Sequence, residues 1–367
     1  MISVKKKLKM KIFNIDCHVS VIADLKQVFE NLGHELTSWS ISGHNWIFDR
    51  NPKNLDIINP NNWMKLDQKM CDEFYERYKD ELSEYDVFVC TYPPSFSMLY
   101  EKFNKPIILQ IPIRYEVPFH NDKLKWNNFN KYLKEKIDNG LIIPVANSEY
   151  DKRYFEFFVG RECELIPNIC DYTNSIWNPK KNKFLYYSRL PLNLNNNFIV
   201  DKSSLGRYKW SDISEYNGII MIPYNCSTMS IFEYYTSGIP LFVPSKNLMM
   251  DLYEKNNQHV LSEITWNKTF NLPPKSIIEC DQENDPNAYD DINIMSKWIQ
   301  FSDFYNQDWM PHITYFDSFE HLNNILISVD LKSIHHSMMK FNSERKSKIY
   351  NLWSNKLKLI DEKFNNR

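Results

Sequence analysis

Short apolar runs alternate with helical stretches along this chain, and the alternation restarts halfway, which narrows the folds open to it more than any other feature. In the first half, KIFNI (residues 11–15), HELTSWSI (34–41), YDVFVCT (85–91), PIILQIP (106–112), LIIPVANS (141–148) and ELIPN (164–168) read as strands. Between them, residues 19–33 carry apolar side chains at Val21, Ile22, Leu25, Val28, Phe29 and Leu32, a helical period closed by Gly33. WMKLDQKMCDEFYERYKDEL (63–82), the stretch 124–140 ending at Gly140, and residues 150–158 are further helices. After a polar stretch at 171–183, read as a linker, the pattern begins again. Strands are expected at 184–189, 197–200, 218–224 and 239–245, and helices at 211–216, 227–238, 290–299 and 331–365. Ser211 and Ser227 are the expected N-caps, and Asp317-Ser-Phe-Glu320 reads as a capping-box start. Such alternation predicts two α/β domains, each a doubly wound parallel sheet.

Composition excludes several classes. Lys plus Arg number 44 and Asp plus Glu 46, so the chain lacks the basic excess of a nucleic-acid binder. A hydrophobic content of 43% over 367 residues suffices for two buried cores. The seven cysteines (Cys17, Cys71, Cys90, Cys163, Cys170, Cys226 and Cys280) form no C-x-x-C pair and read as reduced structural thiols, with no spacing for zinc. No apolar run reaches the ~18 residues of a membrane span. The basic start fits a leader into the first strand better than a signal peptide, and weak membrane-surface association through Lys5, Lys6, Lys7, Lys9 and Lys11 stays open. Abundant Asn, Lys, Ile, Tyr and Phe beside 7 Gly suggest an AT-rich genome, microbial or that of a large DNA virus. A cytoplasmic location is expected. P-loop, G-x-G-x-x-G and G-x-S-x-G motifs are absent, and no D-x-D stands in a strand–loop setting, so no metal is expected.

GIIMIPYNCSTMSIFEYYTSGIPLFVPS (218–245) is the most informative segment: strand, turn, helix, Gly, Pro, strand. A small-polar turn at a helix start presents unpaired N–H groups, which together with the helix dipole suit a diphosphate. Ser227, Thr228, Met229 and Ser230 lie there, with Tyr224 just before. Glu233, a turn further on, can accept hydrogen bonds from both hydroxyls of a ribose.

At this segment the chain resembles the GT-B glycosyltransferases, in particular the retaining group with an E-x7-E motif before G-x-P. Its second Glu, which holds the nucleotide ribose, is matched by Glu233, while the position of the first is occupied by Asn225. SGIP at 237–240 matches the G-x-P turn, and Ser188-Arg189 matches the Gly-Arg whose Arg binds the diphosphate. ELIPN with Asp171 and VANSEYDKRYF resemble the family's approach to its linker. The resemblance spans 141–171 and 184–245. It implies two Rossmann-like domains facing across a cleft, with a C-terminal helix returning to the first domain. The expected division is 1–172 (acceptor domain), 173–330 (nucleotide-sugar domain) and 331–367 (helical tail).

Acceptor chemistry is sought in the first half. Asp16-Cys-His18 follows the first strand. His18 is a candidate general base with Asp16 orienting its ring, and a helix N-terminus there would lower its pKa. Glu116 is the competing base, beside Arg114 as an acceptor ligand. Thr91, Tyr92 and His44 complete the candidate acceptor residues, and His312 near Asp303 is read as packing or hydrogen-bonding. These readings together predict a glycosyltransferase of the hexosyltransferase class, metal-independent and inverting. It would use a UDP- or GDP-sugar as co-substrate, with no separate cofactor, and a glycan or other hydroxyl acceptor. A nucleotide-sugar 2-epimerase and a non-catalytic sugar- or nucleotide-binding protein are the alternatives. Oligomeric state is left open.

Overall fold

A computed structural model describes residues 9–191 and 197–365, so Lys5, Lys6 and Lys7 lie outside the described residues. The chain divides into two compact units. The first takes the chain up to Asn147, then Asp151–Asn168, then the chain from Lys348 onward; the second takes Ser148–Tyr150 and Ile169–Ser347.

The first unit holds β1 (Lys11–Asp16), β2 (Glu35–Ser40), β3 (Val87–Cys90), β4 (Ile107–Ile111), β5 (Ile142–Ala146) and β6 (Glu164–Leu165). They form one sheet in the order β2-β1-β3-β4-β5-β6, every pair parallel. β3 and β4 are buried along their whole length, which is why VFVC and IILQI read as unbroken apolar runs rather than alternating ones. The helices are α1 (Val19–Asn31), α2 (Gln68–Leu82), α3 (Ser97–Tyr100), α4 (Lys123–Asp138) and α5 (Glu149–Val159). Helix α2 begins later than expected. Residues 63–65 make a separate 3-10 turn, after which the extended Asp67 accepts from the Met70 N–H at 2.8 Å and starts the α-helix.

The second unit holds β7 (Lys181–Tyr187), β8 (Ile199–Asp201), β9 (Tyr216–Met221), β10 (Leu241–Pro244) and β11 (Thr314–Phe316), ordered β11-β10-β9-β7-β8 and again all parallel. Its helices are α6 (Trp210–Ser214), α7 (Met229–Thr236), α8 (Lys246–Asn256), α9 (Trp266–Thr269), α10 (Ile292–Ile299) and α11 (Phe319–Ser328). The expected linker at 171–183 is largely structured: Trp177 is buried, its indole donating to the Tyr216 carbonyl at 2.8 Å, and Lys181 already belongs to β7. Three caps shift by a residue or two. Thr228 replaces Ser227 at α7, Lys209 precedes α6 with its N–H on Asp212, and Ser318 rather than Asp317 accepts from His321 at α11. Strand β11 and helix α8, begun by Ser245, were not anticipated from the sequence.

Helix α12 (Leu331–Asn365) contributes to both units. In the second, Asn342 donates to the Tyr235 carbonyl at 2.8 Å, and His335 meets the Gly238 carbonyl at 2.8 Å. Gly238 has φ +67° and a Cβ there would meet the His335 ring and the Met339 sulfur at 2.7 Å, so the turn after α7 needs glycine. In the first unit, the fully buried Trp353 packs edge-on against Phe29 of α1 with centroids 5.1 Å apart. No helix among the described residues is long and apolar enough to cross a membrane.

Trp353→Ala removes the anchor by which the end of α12 completes the first core. A loss of about 3–5 kcal/mol is expected in chemical denaturation. A loss below about 1 kcal/mol would show that α12 is dispensable to that core.

Candidate functional site

In the second unit the 218–245 segment folds as strand, turn and helix. Asn225 is buried in the turn and its side-chain oxygen accepts from the Cys226 N–H at 2.8 Å, so it serves the turn itself. Thr228 then enters α7 in an extended conformation (φ −145°, ψ 141°), its side chain capping no N–H. Its hydroxyl accepts instead from the Ser230 hydroxyl at 3.2 Å. The Ile231 N–H turns back onto the Thr228 carbonyl at 3.2 Å, whereas the Met229 and Ser230 N–H groups meet no protein acceptor among the described residues. Those two donors, at the positive end of the helix dipole, are the ordinary apparatus for an anion.

Arg189 follows β7. Its guanidinium lies 4.1 Å over the Tyr224 ring, 2.5 Å from Glu263 and 3.0 Å from the Ser262 hydroxyl. This pair is half-exposed, so it is worth little in stability and serves to orient the guanidinium. Ser188 accepts from the Leu190 N–H at 2.9 Å and shapes the same loop. Ser227 is buried directly before the cap. Glu233 is half-buried, not turned into bulk water, and accepts from the Tyr172 hydroxyl at 2.7 Å.

Lys202, absent from the sequence-based site, is the main addition. Tyr186 of β7 is registered opposite Asp201 of β8, which brings Lys202 beside Tyr187. The ammonium lies 4.4 Å from each of the Tyr187 and Tyr208 ring centres. Burial pulls its pKa down to about 8, while the negative charge of Glu233 pushes it up. Tyr187, Tyr208 and Tyr172 therefore surround a carboxylate and an ammonium within reach of the α7 tip. The one sequence signal was a lysine just after β8, separated from the short apolar run 198–200 by Asp201.

In the first unit, β1 and β3 are neighbours and their C-terminal ends carry Asp16-Cys17-His18 and Thr91-Tyr92. The Cys17 N–H donates to the Tyr92 carbonyl at 2.8 Å, and the His18 and Tyr92 rings meet edge-on at 6.3 Å. His18 is exposed at the surface yet crowded by protein. Crowding holds its pKa below the imidazole value, towards about 4, with the charge of His44 adding to the effect. Surface exposure opposes full depression, and the direction of the shift favours the neutral ring at pH 7. His18 does stand at the N-terminus of α1, as expected, but its ring caps no helical N–H.

The expected Asp16–His18 dyad does not form. Asp16 is fully buried and is met by the Ser40 and Ser38 hydroxyls at 3.2 and 3.3 Å and by the His18 backbone N–H, not by its ring. Burial raises its pKa to about 7. Arg114 and Glu116 are also fully buried rather than lining a surface: Arg114 lies 3.5 Å from Asp151, and Glu116 accepts from Tyr154 at 2.7 Å with its pKa pushed by burial to about 8. Tyr115, Val117 and Phe119, all buried, drag the intervening charges inward. Thr91 is buried too, whereas Tyr92 and His44 remain accessible. His312 is exposed in a left-handed conformation (φ 68°), so it does not pack as expected, while Asp303 is buried. All seven cysteines are free thiols.

No protein-family model matches the chain, and no curated protein sequence matches it. Solved structures do. HepE of Anabaena, crystallised with UDP and glucose, aligns at a TM-score of 0.50 with 10% identity over 95% of this chain and 99% of its own. The kitacinnamycin glycosyltransferase aligns at 0.47 with 10% identity over 96% and 99%, and SnogD from Streptomyces nogalater at 0.44 with 10% identity over 95% and 99%. Two Rossmann-like parallel-sheet units and a helix-rich C-terminus give this chain the GT-B fold, the fold of glycosyltransferases at low sequence identity.

A buried Asp16 whose folded pKa is raised binds a proton that the unfolded chain has already lost. Stability therefore falls as pH rises from about 4 to about 7. Asp16→Asn should abolish this slope, leaving the variant more stable than the parent above pH 7 by up to about 4 kcal/mol. Parallel pH–stability curves for the two proteins would refute the assignment.

Proposed function

We propose that this chain is a glycosyltransferase that moves a sugar from a nucleoside diphosphate donor to a hydroxyl acceptor. The observation that carries the reading is the convergence, at the C-terminal edge of the second sheet, of the Met229 and Ser230 N–H groups, Arg189 and Lys202, with Glu233 on the same helix. Two N–H donors and two cations match a diphosphate. A carboxylate matches the vicinal hydroxyls of a ribose, and the tyrosines offer faces to a base. The GT-B fold shared with HepE, which was crystallised with UDP and glucose, fits the same reading.

In the reaction, the bond from the anomeric carbon to the diphosphate oxygen breaks and the electron pair leaves with the diphosphate. Fixed N–H dipoles, Arg189 and Lys202 stabilise that charge as it develops, which is the task a metal ion performs in metal-dependent transferases. The acceptor hydroxyl attacks the oxocarbenium-like carbon from the opposite face, with inversion. Its proton passes to the neutral ring of His18 at the end of β1. Asn225 offers no carboxylate where the retaining group's first Glu would stand, and it is committed to its own turn. The scheme uses His18 rather than Glu116 as the base, because Glu116 and Arg114 are buried and His18 is exposed.

UDP or GDP at about 100 times its dissociation constant would add about 2.7 kcal/mol to stability, a rise in melting temperature of about 5 °C or more. Arg189→Ala or Lys202→Ala should weaken the nucleotide at least about tenfold. His18→Ala should leave nucleotide binding intact and remove sugar transfer and donor hydrolysis. No shift with any nucleoside diphosphate would end the donor reading. Binding without turnover would favour a binding protein, and turnover to an epimer without acceptor a 2-epimerase.

A further inference from the structure

The first unit contains a cavity that the donor reading does not use. It lies between the start of α1 and the loop of residues 45–54 and has a volume of about 270 Å³. Val19 and Ile22 of α1 form an apolar wall, Ser38 and Ser40 of β2 a polar one, and Arg50 and Lys53 bring two positive charges.

We propose that this cavity holds the acceptor, and that the acceptor is a sugar or polyol bearing an anionic group, a phosphate or a carboxylate. The word acceptor rests on the glycosyltransferase reading; the preference for an anion does not. Neither Arg50 nor Lys53 has a carboxylate partner among the described residues, and no carboxylate lines the cavity. Both cations are anchored by their backbones, Lys53 N–H on the Ser40 carbonyl at 2.7 Å and Arg50 N–H on the Asn45 carbonyl at 3.1 Å. Their side chains rest on aromatic faces, Lys53 at 4.8 Å over Trp39 and Arg50 at 6.0 Å over Phe48. Both side chains are exposed and hydrated, so together they form a positive rim to the cavity with no carboxylate to balance it, a rim that attracts an anion.

The remaining wall is suited to hydroxyls. Asn45 is buried and fixed by its amide on the Ser42 carbonyl at 2.7 Å. Ser38 shares its hydrogen between Asp16 and Asn14, each at 3.3 Å, and Ser40 donates to Asp16 at 3.2 Å while accepting from the Ser42 N–H at 3.3 Å, so the Ser38 oxygen is the freer acceptor on this wall. The apolar strip of Val19 and Ile22 suits the carbon face of a ring. A volume near the lower end of ligand pockets, which run from about 300 Å³, suits one such ring. His18 does not itself line the cavity but is the neighbour of Val19 in the chain.

The test titrates the full chain with glucose 6-phosphate, glucuronate, glucose and inorganic phosphate by calorimetry. At least one charged sugar should bind at least tenfold more tightly than glucose and than inorganic phosphate. The ranking of the phosphate against the carboxylate tells which anion is preferred. Arg50→Gln with Lys53→Gln should cost at least tenfold for the charged sugar, while Lys65→Gln, exposed and outside the cavity, should cost nothing. Equal binding of glucose, inorganic phosphate matching both charged sugars, or an unchanged double variant would overturn the proposal. Melting temperatures with UDP are recorded on the same variants. Loss of the sugar with nucleotide binding retained locates the effect in this cavity, and sugar binding without any nucleotide effect would sink the transferase reading while leaving the cavity.

Discussion

Parallel pairing is the constraint on which this structure depends. When every strand of a sheet points the same way, all the strand-to-helix turns gather at one edge, whatever their separation in sequence. Where successive crossovers leave a strand in opposite directions, the edge opens into a crevice that ligands use. Each sheet has such a point. In the first unit the chain passes from β1 to β2 on one side and returns to β3 on the other, so the switch in direction falls between β1 and β3. His18 and Tyr92 occupy the turns after those two strands. In the second unit β7 is flanked by β8 and β9, and the turns that follow carry Arg189, Lys202 and the approach to α7. Both candidate sites are thus consequences of strand order.

Sequence periodicity revealed this order of elements well because a parallel strand buried on both faces leaves an unbroken apolar run, and the turn after it must supply caps. The candidate residues Thr228, Ser230 and Glu233 could be picked out for that reason: small hydroxyls at a helix start mark where its unpaired N–H groups lie, and a carboxylate follows on the same helix. Lys202 was not legible. Its partners Tyr187 and Tyr208 are brought to it by the β7–β8 register and by the loop after β8, and neither leaves a periodic mark.

In the first unit two charged candidates turn out to be buried. Arg114 and Glu116 follow a buried strand, and residues in that position ordinarily face a crevice. Here they alternate with Tyr115, Val117 and Phe119, whose burial outweighs the desolvation of the charges once Asp151 and Tyr154 are there to receive them. The alternation itself was the clue. Asp16 follows the same logic: its place beside two serines on β2 is set by the parallel register that opposes Asp16 to Ser40, and that pairing takes it away from the His18 ring.

The central claim is that α7, Arg189 and Lys202 together receive a diphosphate whose ribose is held by Glu233. Crystals of the full chain soaked with a UDP-sugar test it most directly. The account predicts difference density for the diphosphate within hydrogen-bonding distance of the Met229 and Ser230 N–H groups and both cations, with the ribose hydroxyls on Glu233. Density for the nucleotide elsewhere, with the α7 tip untouched, would contradict it.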